Sequence, residues 1–147
     1  MRSAKSLLGM PVIHAGRRLG RVAYVLPDEE LKQIRGLYLH CGLTGSRFIE
    51  CAQLDMIGEV AVLVHAAGRR SQLNERPLFR RALAPDGQRI GAITDTLIDV
   101  NTLRIEALEL SHGYLDDLAL GRAHVRQFSI LKNGDIIVGN AEGGNPP

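Results

Sequence analysis

Gly16–Gly42 reads GRRLGRVAYVLPDEELKQIRGLYLHCG, and 71 residues later Gly87–Gly113 reads GQRIGAITDTLIDVNTLRIEALELSHG. Laid on one another without a gap, the stretches agree at nine of 27 positions: Gly16/Gly87, Arg18/Arg89, Gly20/Gly91, Leu26/Leu97, Asp28/Asp99, Ile34/Ile105, Leu37/Leu108, Leu39/Leu110 and Gly42/Gly113. Unrelated segments of ordinary composition would agree at about two. A repeat this long is one folding unit written twice.

The unit is built of strands and turns. Met10–His14 reads as a short strand entering a turn at Ala15-Gly16, and the second copy turns at Pro85-Asp86-Gly87. There proline presets φ, aspartate bonds locally and glycine accepts φ > 0. Leu19–Leu26 carries the Val, Leu and Tyr that suit a pleated surface. Gly20 and Gly91 fall inside that strand and its copy, where glycine marks a bulge or a close backbone approach. In Ile34–Cys41 and Arg104–Ser111 the repeated apolar residues are spaced by three and then two. One extra residue at Gly36 or Ala107 restores Ile34, Leu37 and Leu39, and their counterparts, to one face.

Beyond Gly42 and Gly113 the copies differ in length, with five extra residues in the second copy within Tyr114–Arg122. Leu115, Leu118 and Leu120 suit a single helical turn there. Strand character returns at Phe48–Cys51 and His124–Phe128, and again at Glu59–Val64 and Asp135–Val138. Asn133-Gly134 is a tight-turn signal, and Gly139–Pro147 reads as a frayed tail. No long segment carries a 3.6-residue apolar period. Short strands separated by turns predict an all-β fold. Residues 1–66 form the first repeat, 67–78 an arginine-rich joint, 79–140 the second repeat and 141–147 a tail.

The 147 residues, 45% apolar and 23% charged, have the composition of an ordinary globular chain. Each copy is about 65 residues, a size that buries only about 60% of its unfolded surface and is marginal alone. The copies are therefore expected to pack on one another or on a partner, and a homo-oligomer satisfies the same need. No apolar run approaches a membrane span, and Leu7–Ile13 is broken by Gly9 and Pro11, unlike a secretory leader. Two cysteines make no disulfide framework, which points to the cytoplasm. Charge is polarised: residues 66–81 hold five arginines against Glu75, whereas 82–147 hold nine acidic and five basic side chains.

Leu8-Gly9-x-Pro11-Val12, then Gly16, Leu19-Gly20-x-Val22, Asp28 and Ile34-x-Gly36-Leu37-x-Leu39, resembles the PRC-barrel domain. The likeness covers nearly the whole chain, once per copy; the second copy departs at its entry, where Arg80-Arg81-Ala82 stands for Gly9-Met10-Pro11. The resemblance implies two small antiparallel β-barrels in tandem, each serving as an interaction platform. Relatives include the cytoplasmic domain of the photosynthetic reaction centre H subunit and the C-terminal domain of the ribosome maturation factor RimM. They imply a non-enzymatic adaptor linked to ribosome or RNA processing, with a protein, ribosomal component or RNA as partner. The alternatives are a proton-relay or electron-transport component, and a peripheral binder of an anionic membrane surface.

The remaining constellations point away from catalysis. His14, His40, His65, His112 and His124, with Cys41 and Cys51, show no metal-ligand spacing, so neither a metal nor a cofactor is expected. Asp99-Val100-Asn101-Thr102 starts like a calcium loop, but Leu103 stands where an oxygen ligand belongs. Gly42–Ser46 lacks the lysine of a phosphate-binding loop and has no nucleophile elbow. Asp28 and Asp99 are repeated turn residues. No catalytic residue is assigned; the rival enzyme reading would unite His112 or His124 with Asp116 or Asp117 in a polar pocket. The candidate partner contacts are Arg69, Arg70, Arg80 and Arg81, suited to phosphate or carboxylate. The plainer reading makes them linker charges, or pairs for the acidic second lobe across the lobe interface.

Overall fold

Each copy of the repeat folds along the same six-strand path. The computed structural model describes residues 1–74, 80–113 and 123–139. It is all-β, with two curled sheets of half-barrel shape. The chain divides into two compact units, Met1–Arg76 with Ile98–Ile105, and Pro77–Leu97 with Glu106–Pro147. In chain order the strands are β1 (Arg2–Ser3), β2 (Pro11–His14), β3 (Arg17–Pro27), β4 (Ile34–His40), β5 (Ser46–Glu50), β6 (Leu54–Ile57), β7 (Val62–Val64) and β8 (Arg69–Arg70). Then come β9 (Arg80–Leu83), β10 (Arg89–Ile98), β11 (Ile105–Ser111), β12 (Ala123–Val125), β13 (Phe128–Ile130) and β14 (Ile136–Val138).

One sheet runs β6-β7-β2-β3-β4-β5-β8 and the other β12-β11-β10-β9-β14-β13. Writing β9–β14 for β2–β7 converts one order into the other. All ladders along these paths with a resolved register are antiparallel except β2·β7 and its copy β9·β14, which are parallel. The repeat is thus one of topology as well as sequence. Among the described residues β1 and β8 have no counterpart.

Turn chemistry fixes the registers. Ala15 (φ 51°) and Gly16 (φ 78°) are both left-handed, as in the two-residue hairpin turn whose twist matches its strands. The second copy uses Asp86, whose Oδ1 accepts from the Gln88 N–H at 2.9 Å, and Gly87 at φ 91°. A register shift leaves Leu19 unpaired before Gly20, and another leaves Ile90 unpaired before Gly91. The glycines allow the close approach that follows: a Cβ on Gly20 would lie 2.7 Å from the His40 carbonyl oxygen, and one on Gly91 would strike that of Ser111. Both expectations for these glycines, bulge and close approach, are met together.

The irregularity expected at Gly36 falls one residue earlier, at Arg35, and has the expected result: Ile34, Leu37 and Leu39 are all buried. With Val12, Val22, Ile49, Val62 and Val64 they form the core of the first unit. Ile98, fully buried, joins that core, and Val100, Leu103 and Ile105 pack against it. The turn Asp99–Arg104 of the second copy is therefore built into the first unit. The Ile34 N–H donates to the Leu103 carbonyl at 2.9 Å, the Ile105 N–H donates to that of Lys32 at 2.8 Å, and Gln33 faces Arg104.

Some strand limits differ from those read in the sequence. Cys51 opens a 3-10 turn rather than ending a strand, because the Gln53 side chain accepts from the Glu50 N–H at 3.0 Å. Glu59 and Val60 belong to the turn closed by the Gly58 N–H on the Ala61 carbonyl, and β7 starts only at Val62. Leu19, Leu26, Ile90 and Ile105 are half-buried. Leu19 and Ile90 are the bulge residues, and Leu19 still packs against the first unit's core. The helical turn at Leu115–Leu120 and the tail beyond Gly139 lie outside the described residues. Among those residues no helix is long and apolar enough to cross a membrane.

Candidate interaction surface

The arginines grouped by sequence are divided between the two units. Arg69 and Arg70 form β8 and pair antiparallel with β5, Arg69 opposite Phe48 and Arg70 opposite Arg47. They are sheet rather than linker. Gly68 makes this possible, since a Cβ there would strike the Phe48 carbonyl oxygen. The Arg69 guanidinium lies over the Phe48 ring, 4.9 Å from its centre, in cation–π geometry. Arg70 is exposed, and Arg47 opposite it donates to the Ala67 carbonyl at 3.3 Å. Two like charges across a ladder repel. The β5–β8 edge therefore attracts an anion.

Arg80 and Arg81 belong to β9 in the second unit. The Arg81 guanidinium grips Asp135 with both arms, Nε to Oδ1 at 3.2 Å and Nη2 to Oδ2 at 2.7 Å. Asn133 Nδ2 donates to the same carboxylate at 3.1 Å. Asp135 is 8% exposed, so this charge-assisted pair holds β9 to the turn before β14. Both residues belong to the second unit, so this pair is not one across the lobe interface. Arg80 faces Ile93 across the ladder, with its Nη1 buried and without a hydrogen-bond partner. Of the four, Arg70 is the charge most open to a partner.

Phe48 begins a row that sequence reasoning missed. Tyr24, Tyr38 and Phe48 stand opposite one another across β3, β4 and β5, on the face away from Leu37 and Leu39. Ring centres are 6.5 Å apart for Tyr24–Tyr38 and 4.8 Å for Tyr38–Phe48. The repeat writes Asp95, Glu109 and His124 at these three places; Glu109 pairs with His124 as Tyr38 pairs with Phe48. An aromatic row in one copy is a titratable row in the other. Comparing the copies at positions where they disagree was the available signal.

Asp116 and Asp117, named for the rival pocket, lie outside the described residues. His112 does line a hollow of about 470 Å³ with Arg89, Ile90, Gly91, Thr94 and Ser111, and its Nδ1 is 3.1 Å from the Ile90 carbonyl. His124 is not part of it. Among the described residues no three His, Cys, Asp or Glu side chains come together to hold a metal. His65 meets Asp55 at 2.6 Å on the surface, where such a pair contributes little.

Among the described residues, apolar side chains are exposed together on the β6–β7 hairpin. Met56 is 53% exposed, Val60 79% and Leu63 37%, and Met56 faces Leu63 across the ladder. The chain matches no protein-family model and no curated protein.

Both cysteines are free. Burial beside Gly20 pushes the Cys41 thiol up, against a smaller opposite effect from the Arg47 charge. Thiolate is the reactive form, so a raised pKa means less of it at any pH below that pKa. Alkylation of Cys41 by iodoacetamide at pH 8 is therefore expected to be slower than that of a free cysteine peptide, the gap narrowing as pH rises. Mass-spectrometric rates on Cys51→Ser protein measure it; a rate equal to the peptide's at pH 8 contradicts the assignment.

Proposed function

We propose that this chain is a non-enzymatic interaction module made of two PRC-barrel-like halves, working in the cytoplasm as an adaptor that docks a protein partner. One observation carries the reading: Met56, Val60 and Leu63 lie exposed together on the β6–β7 hairpin. Water-exposed apolar side chains grouped on a strand pair are what a protein interface covers. The basic β5–β8 edge, with Arg47 and Arg70, adds steering toward an acidic or phosphate-bearing surface. The resemblance to the ribosome maturation factor makes a ribosomal component the partner class to look for.

Capture from native lysate, at low and high salt and with nuclease in parallel, tests this. A protein partner is expected to survive high salt and nuclease, and to be lost with Met56→Glu plus Leu63→Glu. Arg69→Ala with Arg70→Ala is expected to slow its association and leave the complex intact. RNA binding through arginines would instead weaken steeply with salt through counterion release. Loss on nuclease treatment assigns the contact to RNA, capture by anionic vesicles alone assigns it to a membrane, and either outcome overturns direct docking.

A further inference from the structure

The central strands of the first sheet run between an acidic end and a basic end. Asp28, Glu29 and Glu30 fill the turn from β3 to β4 at one end. The β2–β3 turn, the β4–β5 turn and the end of β8 make the other, where Arg70 stands opposite Arg47 and the Ser71 N–H donates to the Ser46 carbonyl at 3.1 Å. Segments 11–27, 34–47 and 66–74, which form that end, contain no aspartate or glutamate. Arg17, Arg18, Arg21 and Arg70 are exposed on it. At its apex, in the 3-10 turn Gly42–Thr44, Leu43 is 108% exposed. We propose that this end of the first unit docks on an anionic lipid bilayer, with Leu43 entering the headgroup boundary and the arginines facing lipid phosphates. It is a second surface, separate from the β6–β7 hairpin that carries the adaptor reading, and does not rest on that reading.

The two turns share a level because β3 is paired on both sides. Arg21 stands opposite Pro11 in β2 and His40 in β4, so β3 extends past His40 to Arg17 beside the β4–β5 turn. That turn is closed by the Cys41 N–H, which donates to the Gly45 carbonyl at 2.7 Å. The Thr44 hydroxyl donates to the Cys41 carbonyl at 2.8 Å and stiffens the apex. Gly42 (φ 64°) and Gly45 (φ 87°) turn the chain back through left-handed backbone and leave Leu43 outside the fold. Arg21 Nη1 donates to the Gly9 carbonyl at 2.9 Å, and Arg47 Nη1 to that of Ala67 at 3.3 Å. A guanidinium carries several N–H donors, so these bonds orient the two groups and leave them capacity for a phosphate.

Charge and shape together select the occupant. Anionic bilayers attract clustered arginines, and the acids of the β3–β4 turn lie at the far end of the strands. Asp55 of β6 is separated from β3 by β7 and β2 and meets His65 at 2.6 Å. Single-stranded RNA binds where bases stack on exposed rings, whereas Phe48 and Tyr38 of β5 and β4 are 3% and 7% exposed. An acidic protein surface would set Leu43 against charge. A bilayer offers phosphate to the guanidinium groups and acyl carbon to the leucine.

The test uses the full chain and sedimentation with vesicles of phosphatidylcholine alone or of an equal mixture with phosphatidylserine. Binding is expected to be about tenfold or more tighter to the mixture and to weaken as salt rises. Arg17→Glu with Arg18→Glu, at an exposed turn, is expected to weaken it about tenfold or more, and Leu43→Ser about tenfold. The chain has no tryptophan, so Leu43→Trp supplies a single emitter at the apex. Its emission maximum is expected to move to shorter wavelength on the mixed vesicles and to stay in place with phosphatidylcholine alone. If the glutamate pair fails to fold, the tryptophan shift still decides. No binding at low salt, equal affinity for the two vesicles, or an unmoved emission maximum overturns the proposal. So does a loss of vesicle affinity beyond about threefold in Met56→Glu plus Leu63→Glu, which would move the contact to the hairpin. Binding to polyuridine that survives at a salt concentration releasing the vesicles assigns this end to RNA and overturns it as well.

Discussion

Replacing Gly36 by alanine is expected to destabilise the chain by about 3 kcal/mol or more, the upper end of what overpacking costs. The added Cβ would strike the Ile49 carbonyl oxygen and lie 2.5 Å from Phe48 Cζ. Neither neighbour can withdraw. Ile49 is held in the β4–β5 ladder, and Phe48 is 3% exposed beneath Tyr38 and Arg69. Gly45→Ala is the control. Its φ of 87° is left-handed, but nothing lies within 4 Å of the new Cβ, so it is expected to cost about 1–2 kcal/mol through the backbone alone. Denaturant midpoints of the two variants against the parent measure the difference. Equal losses would mean that the β4–β5 packing around Gly36 is looser than the geometry requires.

Ile98→Ala is expected to cost about 2–5 kcal/mol, the range for deleting a fully buried aliphatic side chain. The location of the loss matters as much as its size. Ile98 belongs by sequence to the second copy but packs in the core with Val12, Leu37 and Leu39. Amide exchange should therefore quicken in β2, β4 and β7 of the first unit. Quickening confined to β9, β13 and β14 would place Ile98 in the other core and would contradict the crossing of the Asp99–Arg104 turn.

The all-β class and the central strands of each repeat were legible in the chain because turn residues announce themselves locally, whereas His124–Phe128, read as one strand, divides between β12 and β13. Pro85-Asp86-Gly87 and Asn133-Gly134 have few conformations open to them, and both turns form. The repeated spacing Ile34, Leu37, Leu39 implied a bulge, since strand alternation admits no other way to bury all three. The repeat itself foretold that whatever path one copy takes the other follows, and the strand orders agree.

Partners distant in sequence were decided only by tertiary structure. Five arginines within a short stretch look alike as a charge run, yet Arg69 finds an aromatic ring and Arg81 finds Asp135, 54 residues away. Nothing local distinguishes them, because a guanidinium's environment is set by which strand folds against it. The same holds for the segment Ile98–Ile105, whose apolar residues were assigned to the second copy by homology of sequence and were claimed by the core of the first. Periodicity tells a side chain which face of its own strand it occupies. It carries no information about which sheet that face will cover.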